Sequence, residues 1–395
     1  MINDSLLQSL HSHLAGWGLR QFTSDKTYFQ WQRENLSPAE ITALHQKAEQ
    51  KRSGSSLDEV SFYDAAAHSS VLPVLYSQRY HYYLTIGSRV ADRIGGAESI
   101  LDMGCGVGIL TTFYAKQHPD RTFVGIDRSV ASITRAQEHT KALGLTNVQF
   151  ECLDLDYTPL TRSYDLVLAT HALVQVEQDP GIPSRHWNTF ERAHDGRQQA
   201  DFERRTGIGG RLDRLSAMLS EQGRMIVFEK TRQLARRVPL QRALAARDLG
   251  LIEQPESIRY LLVEEVADDG PFYVLEKGAC RQLPWNESPE SDEGRPFDRA
   301  TLKTGFPDSD TPLYENHCPS AQSAWEQLHD KSLIKEMARQ EPDGRQLHVE
   351  LGQAEEGVYL YCANTFDQRQ LVIVEQARVA MLESYYQEIA SETVG

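Results

Sequence analysis

The chain has 395 residues, 40% of them hydrophobic and 25% charged, with a formal net charge of −15. These proportions exclude a disordered or collagen-like chain and leave room for two or three folded domains. The acidic balance argues against nucleic acid as the main partner, and no apolar run reaches the roughly 20 residues of a membrane span. The first residues lack the basic-then-apolar order of a secretion signal, with Asp4 where positive charge would be wanted. Cys105, Cys152, Cys280, Cys318 and Cys362 are scattered and show no Cys-x-x-Cys spacing, so reduced thiols and a cytoplasmic location are expected and no metal site is assigned.

Residues 1–94 read as a helical cap. Ser37, Pro38, Ala39 and Glu40 form a capping box with proline at the first helical position, opening a helix that runs to about Lys51. Arg52–Ser56 reads as a loop around Gly54. A longer helix is expected over Val71–Ile94, with Tyr76, Tyr80 and Tyr83 sharing one face. Two readings of those tyrosines stay open: packing against the next domain, or walls of a substrate pocket. Gly95 and Gly96 lead into a short apolar strand over 98–103, which breaks into Gly104, Cys105, Gly106, Val107, Gly108. The glycines allow positive φ and close approach of a ligand, and the helix predicted over Ile109–Gln117 implies free N–H groups at its start. Ile109 occupies the position where a dinucleotide fingerprint needs a third glycine. Hydride chemistry is therefore disfavoured.

A second strand, Thr122–Ile126, ends in Asp127, placed to accept from ribose hydroxyls. A helix over Val130–Leu143 and a third strand over Asn147–Cys152 lead to Asp154 and Leu155, and a fourth strand spans Tyr164–His171. With Asp102, the glycine loop, Asp127, Asp154 and Thr170 in this order, the chain resembles the class I S-adenosylmethionine-dependent methyltransferases of small-molecule type, in register to His171 and less closely to Ala279. The resemblance implies a doubly wound α/β fold: a seven-stranded, mostly parallel Rossmann-like sheet with an antiparallel last strand. It implies S-adenosyl-L-methionine as cofactor, with Asp102, Gly104, Cys105, Gly106 and Gly108 at its methionine end. Asp127 would hold the ribose and Asp154 the adenine amino group, with Arg128, Leu155 and Thr170 as further cofactor-binding residues.

Residues 175–210 form a polar insertion holding His186, Trp187, Phe190 and His194, read either as a substrate-side lid or as a solvated excursion. Gly207–Gly210 reads as a hinge before a helix over Arg211–Ser220, and Met225–Glu229 as the fifth strand. Arg232, Arg236 and Arg237 read as a solvated helical face or as a contact to an acidic substrate group. Ile258–Val266 and Pro271–Glu276 flank Ala267, Asp268, Asp269, Gly270, a hairpin with an acidic turn that closes the cofactor domain over 95–279. Residues 280–320 read as a linker. A small α+β domain follows, with a helix over Ala321–Arg339, strands at Gln346–Leu351, Gly357–Ala363 and Gln370–Glu375, and a last helix from Ala377 to about Ala390. It is read as a structural appendage, with a homodimer as one option, or as a substrate-specificity module.

The expected activity is in-line methyl transfer to an oxygen or nitrogen of a small molecule, in specialised biosynthesis. The alternatives are a peptide or protein acceptor docked on the C-terminal domain, or a protein that uses the sulfonium otherwise or only binds it. His171 is the leading candidate for a general base, since its position follows the fourth strand and its ordinary pKa near 6.5 suits the task. Tyr80 and His186 are weaker candidates and, with Tyr76, are the expected substrate contacts. Thr170, His171, Ala172, Leu173 stands where amino-methylating enzymes of DNA carry a tetrad ending in Pro, Pro and an aromatic. Expected partners are therefore a small-molecule acceptor, with no nucleic acid and no membrane.

Overall fold

The computed structural model describes residues 4–53, 55–158, 161–174, 179–280, 282–290, 296–302, 311–341 and 344–391. They form two compact units. One contains residues 1–179, 200–232 and 240–285, the other residues 180–199, 233–239 and 286–395.

The first unit opens with helices α1 (Asp4–Gly16), α2 (Asp25–Asn35), α3 (Pro38–Ser53), α4 (Ser56–Ala66), α5 (Val71–Ser77) and α6 (Tyr80–Ile94). The expected capping box is formed: the backbone N–H of Ser37 donates to Glu40 Oε2 at 2.8 Å, and Glu40 N–H donates back to Ser37 Oγ at 3.3 Å. The single helix expected over Val71–Ile94 is two. Gln78 and Arg79 turn the chain through short bonds to Leu75 and Tyr76 carbonyls, so Tyr76 belongs to α5 while Tyr80 and Tyr83 belong to α6. The sequence reading had no helix at α4.

Then β1 (Ser99–Met103), α7 (Ile109–Gln117), β2 (Thr122–Asp127), α8 (Val130–Ala142), β3 (Val148–Cys152) and β4 (Tyr164–Thr170) follow the predicted order closely. After α9 (Gly196–Thr206) and α10 (Ile208–Met218) come β5 (Leu219–Phe228), α11 (Leu234–Ala245), β6 (Leu249–Leu251), β7 (Glu256–Leu262) and β8 (Glu265–Lys277). The sheet order is β3-β2-β1-β4-β5-β8-β6, with β7 paired to β8 off this path. The β3 to β5 strands are parallel and β8 is antiparallel to β5, which is the expected doubly wound fold with one added strand. Ile100, Leu101, Leu166 and Val167 are fully buried, as strands covered on both faces must be. Leu10, Leu14, Ile86 and Val90 of the cap share the same core as Phe113 and Leu168.

Local chemistry revises three further readings. The hairpin turn lies at Val263 and Glu264, with Val263 at φ 61°, whereas Asp268, Asp269 and Gly270 are inside β8. The pairing of β7 with β8 shifts register beside Gly270, which has φ 125°, so this glycine serves a bulge rather than a turn. Gly207 is no hinge: at φ 71° it caps α10, and a side chain there would strike the Arg211 guanidinium at 2.7 Å. The basic run is not solvated either. Arg237 is buried and bonds Glu290 Oε1 and the Ser288 carbonyl, both at 2.5 Å, while Arg232 pairs with Asp268.

In the second unit α12 (Arg299–Leu302), β9 (Tyr314–His317), α13 (Cys318–Glu326), β10 (Ser332–Gln340), β11 (Gln346–Ala354), β12 (Gly357–Asn364), β13 (Arg369–Val374) and α14 (Val379–Ser391) build an antiparallel sheet of order β10-β11-β12-β13-β9. The helix expected over Ala321–Arg339 ends at Glu326, and β10 replaces its second half. Of the polar insertion, residues 175–178 lie outside the described residues. Residues 180–199 belong to this second unit, where Trp187 stacks on His348 at 3.6 Å and 3° and Arg192 pairs with Asp367.

Candidate active site

In an open parallel sheet, ligands sit beyond the carboxyl ends of the strands where the strand order reverses. There the first unit has a cleft of about 1190 Å³, its open mouth included. Asp102, Gly104, Cys105, Gly106, Asp127, Arg128, Asp154, Leu155 and Thr170 line it from the sheet side, and Glu59, Tyr63, Tyr76, Arg79 and Tyr83 from the helical side.

The three loop glycines do different jobs. Gly104, Gly106 and Gly108 have φ 68°, 55° and 79°, all left-handed. A side chain on Gly104 would meet Ala172 Cβ at 2.6 Å, and one on Gly108 would collide with Phe150 at 2.8 Å and Ala136 at 2.9 Å. Gly108 thus serves packing at the start of α7 and does not line the cleft, contrary to its expected cofactor contact. At Gly106 nothing lies within 4 Å. Four N–H groups of the glycine loop itself, ahead of the first residue of α7, are in use. Gly104 and Cys105 donate to the Ile126 carbonyl at 2.9 and 3.1 Å, Gly106 to Asp127 Oδ2 at 3.0 Å, and Gly108 to the Cys105 carbonyl at 3.0 Å. At Gly106 the loop therefore offers room to a ligand.

Three carboxylates face the cleft in different states. Asp102 is buried, which pushes its pKa up to about 7 against the opposing bond from Thr111 Oγ1 at 2.5 Å. Asp127 accepts from Gly106 N–H and, at 2.8 Å, from Ser129 N–H; burial raises its pKa and these bonds oppose the rise. Each of its oxygens keeps a second lone pair for a ligand hydroxyl. Asp154 Oδ1 takes the Asp156 N–H at 2.9 Å, which orients the carboxylate at the strand end.

His171 stands directly after β4 with φ 56°. Its ring packs against both Tyr82 and Phe228, centroids at 5.1 and 5.2 Å, in a cluster where those two rings also meet at 6.4 Å. Nδ1 lies 2.7 Å from Arg79 Nη2 and Nε2 3.1 Å from Asp269 Oδ2. A guanidinium can only donate, so Nδ1 accepts and the ring proton sits on Nε2, facing the carboxylate. Burial lowers the pKa to about 4, with the Asp269 bond opposing and Arg79 adding to the fall. Asp269 is held near 2: burial would raise it, but His171 and the Tyr260 hydroxyl, which also donates to it, prevail. The lone pair that a general base would use is occupied, which corrects the expectation for His171. Tyr80 does not line the cleft, and its hydroxyl meets His11 Nδ1 at 2.9 Å. His186 lies in the second unit, 2.9 Å from Asn188 Oδ1, and among the described residues no part of 180–199 lines the cleft. Of the expected substrate contacts only Tyr76 is in the lining.

Beneath the segment after β4, Glu229 accepts the N–H groups of Ala172 and Leu173, both at 2.7 Å, while burial pushes its pKa up to about 7. Arg211, also buried, holds the Leu173 carbonyl at 2.5 Å and Asp156 Oδ2 at 2.9 Å. Residues 171–174 are thereby fixed from both sides.

Residues 94–236, which contain this sheet edge, match the family described as "Methyltransferase domain". This segment is a methyltransferase domain. It is 37% identical over 70 residues to malonyl-[acyl-carrier protein] O-methyltransferase of Acetivibrio thermocellus, covering 18% of this chain and 24% of that protein. It is 31% identical over 113 residues to tRNA (guanine-N(7)-)-methyltransferase of Rubrobacter xylanophilus, covering 28% of this chain and 48% of that protein. The matches thus span less than half of either relative's length. The crystal structure of N-methyltransferase NodS from Bradyrhizobium japonicum with S-adenosyl-L-homocysteine aligns at 15% identity and TM-score 0.33, covering 52% of this chain and 88% of that one.

S-adenosylmethionine is the cofactor that the resemblance implies, and the residues of the cleft fit that molecule. The space at Gly106 is one a Cβ would fill, and Asp127 and Asp154 stand at the ends of neighbouring strands with acceptor capacity to spare. Arg79, Asp269 and Glu229 were not assigned to the site from sequence. Asp269 had a visible signal, two acids before a glycine, which reads as a turn. Arg79 and Glu229 had none, because their roles arise from tertiary placement.

Proposed function

We propose that the protein transfers the methyl group of S-adenosylmethionine to an oxygen or nitrogen atom of a small molecule, in specialised biosynthesis. The observation that carries this reading is the convergence of Asp102, Gly106, Asp127, Asp154 and Thr170 on one cleft together with Tyr76, Arg79 and Tyr83. The cofactor, when bound, supplies an electrophilic methyl on sulfur, so the protein's task is alignment. Asp127 would accept the ribose hydroxyls and Asp154 the adenine amino group, while Asp102 would face the amino-acid end. Glu229 and Arg211 hold the backbone of 171–174, where the acceptor would approach. Neither His171 nor Tyr80 offers a proton-accepting site to the cleft, which favours an acceptor atom already unprotonated at neutral pH, such as a carboxylate oxygen or a weakly basic aromatic nitrogen.

Calorimetric titration with S-adenosylhomocysteine, followed by incubation of candidate acceptors with methyl-labelled S-adenosylmethionine, tests the proposal. Micromolar binding and label in a small-molecule product support it. Absence of binding would remove the cofactor assignment, and label found only in protein or RNA would overturn the acceptor class.

A further inference from the structure

Arg79 lines the cleft without a role in the cofactor framework. It lies in the turn between α5 and α6, and its guanidinium sits 4.2 Å from the centroid of the Tyr82 ring. Among the described residues its hydrogen-bond partner is a neutral group, His171 Nδ1, which occupies Nη2 alone. No carboxylate pairs with it there. Asp269, the nearest acid in the network, is already engaged by His171 and Tyr260. Nε and Nη1 therefore have donors to spare, and the side chain lines the cleft. A desolvated cation without an anion is costly, and stacking on Tyr82 offsets only part of that cost.

Two phenols stand with it. Tyr76 and Tyr83 line the same cleft with ring centroids 6.5 Å apart and near-parallel planes at 13°. Burial pushes both phenols above their ordinary range, so both keep the O–H proton and can act as donors. One planar cation and two hydroxyl donors suit a carboxylate, which can take a bidentate guanidinium and accept further hydrogen bonds.

We infer that Arg79, with the hydroxyls of Tyr76 and Tyr83, forms a carboxylate-binding subsite in the cleft. The inference rests on the reading of this cleft as the S-adenosylmethionine site. The carboxylate belongs either to the amino-acid end of the cofactor or to the acceptor.

The test compares the full-length wild type with Arg79→Met, Arg79→Lys and Tyr83→Phe by calorimetry. The ligands are S-adenosylhomocysteine, methylthioadenosine, which keeps the nucleoside but lacks the amino-acid end, and malonate titrated with and without S-adenosylhomocysteine. Loss of a charge-assisted bond predicts about a tenfold or larger drop in affinity for a carboxylate ligand in Arg79→Met, partly restored in Arg79→Lys, with methylthioadenosine unchanged. A drop for S-adenosylhomocysteine assigns the cofactor's carboxylate. An unchanged S-adenosylhomocysteine affinity with malonate binding lost assigns the acceptor's. Affinities for both within twofold of wild type, or no malonate binding by wild type beside an unaffected S-adenosylhomocysteine, would overturn the subsite. Wild type that binds neither nucleoside defeats the cofactor reading instead, and malonate titrated into the protein alone then decides Arg79 separately. If Arg79→Met loses its far-ultraviolet circular dichroism, Arg79→Lys and Tyr83→Phe carry the same comparison.

Discussion

Burial drives Asp102 and His171 in opposite directions on the pH scale, and the two leave opposite marks on stability. Asp102 titrates near 7 in the fold against about 3.9 in an unfolded chain, so between those values the native state holds the extra proton. Its contribution to stability is complete below about pH 3.9 and is lost as pH rises through 7. His171 titrates near 4 against about 6.5 unfolded, so there the unfolded state holds the extra proton and stability falls as pH drops from 6.5 through 4. Asp102→Asn should therefore gain stability relative to wild type as pH rises from 4.5 to 7.5, read from urea midpoints; a constant difference would contradict the raised pKa. His171→Gln should gain relative to wild type as pH falls over the same range. In turnover, His171→Gln should leave the shape of the pH–rate profile above pH 5 unaltered, because the wild-type ring has no ionisation there. Disappearance of a limb near pH 6.5 in the variant would restore His171 as a base.

At the level of elements, α4 carries Glu59, Val60 and Tyr63 into the cleft lining and is tied to the end of β2. Glu59 pairs with Arg128, and Asp64 Oδ1 accepts from Ser129 Oγ at 2.6 Å and Ala131 N–H at 3.3 Å, beside the cap of α8. Asp64→Ala should cost about 1 kcal/mol, the usual worth of a helix cap, read as a lower denaturant midpoint, and should weaken S-adenosylhomocysteine binding as the helix loosens. An unchanged midpoint would mean that Ser129 alone caps α8. Little of this was legible beforehand. The β1–α7–β2–α8–β3–β4 run was readable because each piece announces itself locally: apolar runs of strand length, glycines at a turn, Ser129 before a helix. So was the carboxylate at Asp127, since its place follows from the strand that carries it. Within Ser56–Ala66 no such periodic signal exists; its start is marked locally by the capping box of Ser55 and Asp58, whose Oδ2 accepts from the Ser55 N–H at 2.7 Å, and side chains distant in sequence add to its anchoring. Ser332–Gln340 contains good helix formers, yet its pairing along β11 decides for a strand. The acidic Asp268–Gly270 has the composition of a turn and the structure of a strand, while the actual turn uses Val263, which propensity would never choose.

Across the molecule, two units carry separate cores, one built around Phe113, Ile100 and Ile226, another around Tyr314, Tyr359 and Tyr361. Heat unfolding should therefore deviate from a two-state transition, with a calorimetric enthalpy above the van't Hoff value. Saturating S-adenosylhomocysteine should raise only the transition of the unit that holds the cleft, by about 2.7 kcal/mol at a hundred times its Kd. A single transition shifted as a whole would refute independent melting. The units are also interleaved: the chain passes between them after residues 179, 199, 232, 239 and 285, five times in all. In genetic terms, a stop codon after Trp285 does not trim a tail. It leaves Ser184 without the Thr365 carbonyl that its N–H meets at 2.7 Å, and Arg192 buried without Asp367. Early frameshifts and late ones should then be equally damaging to the folded protein, and a protease cut near residue 285 should leave the two fragments associated until denaturant is added.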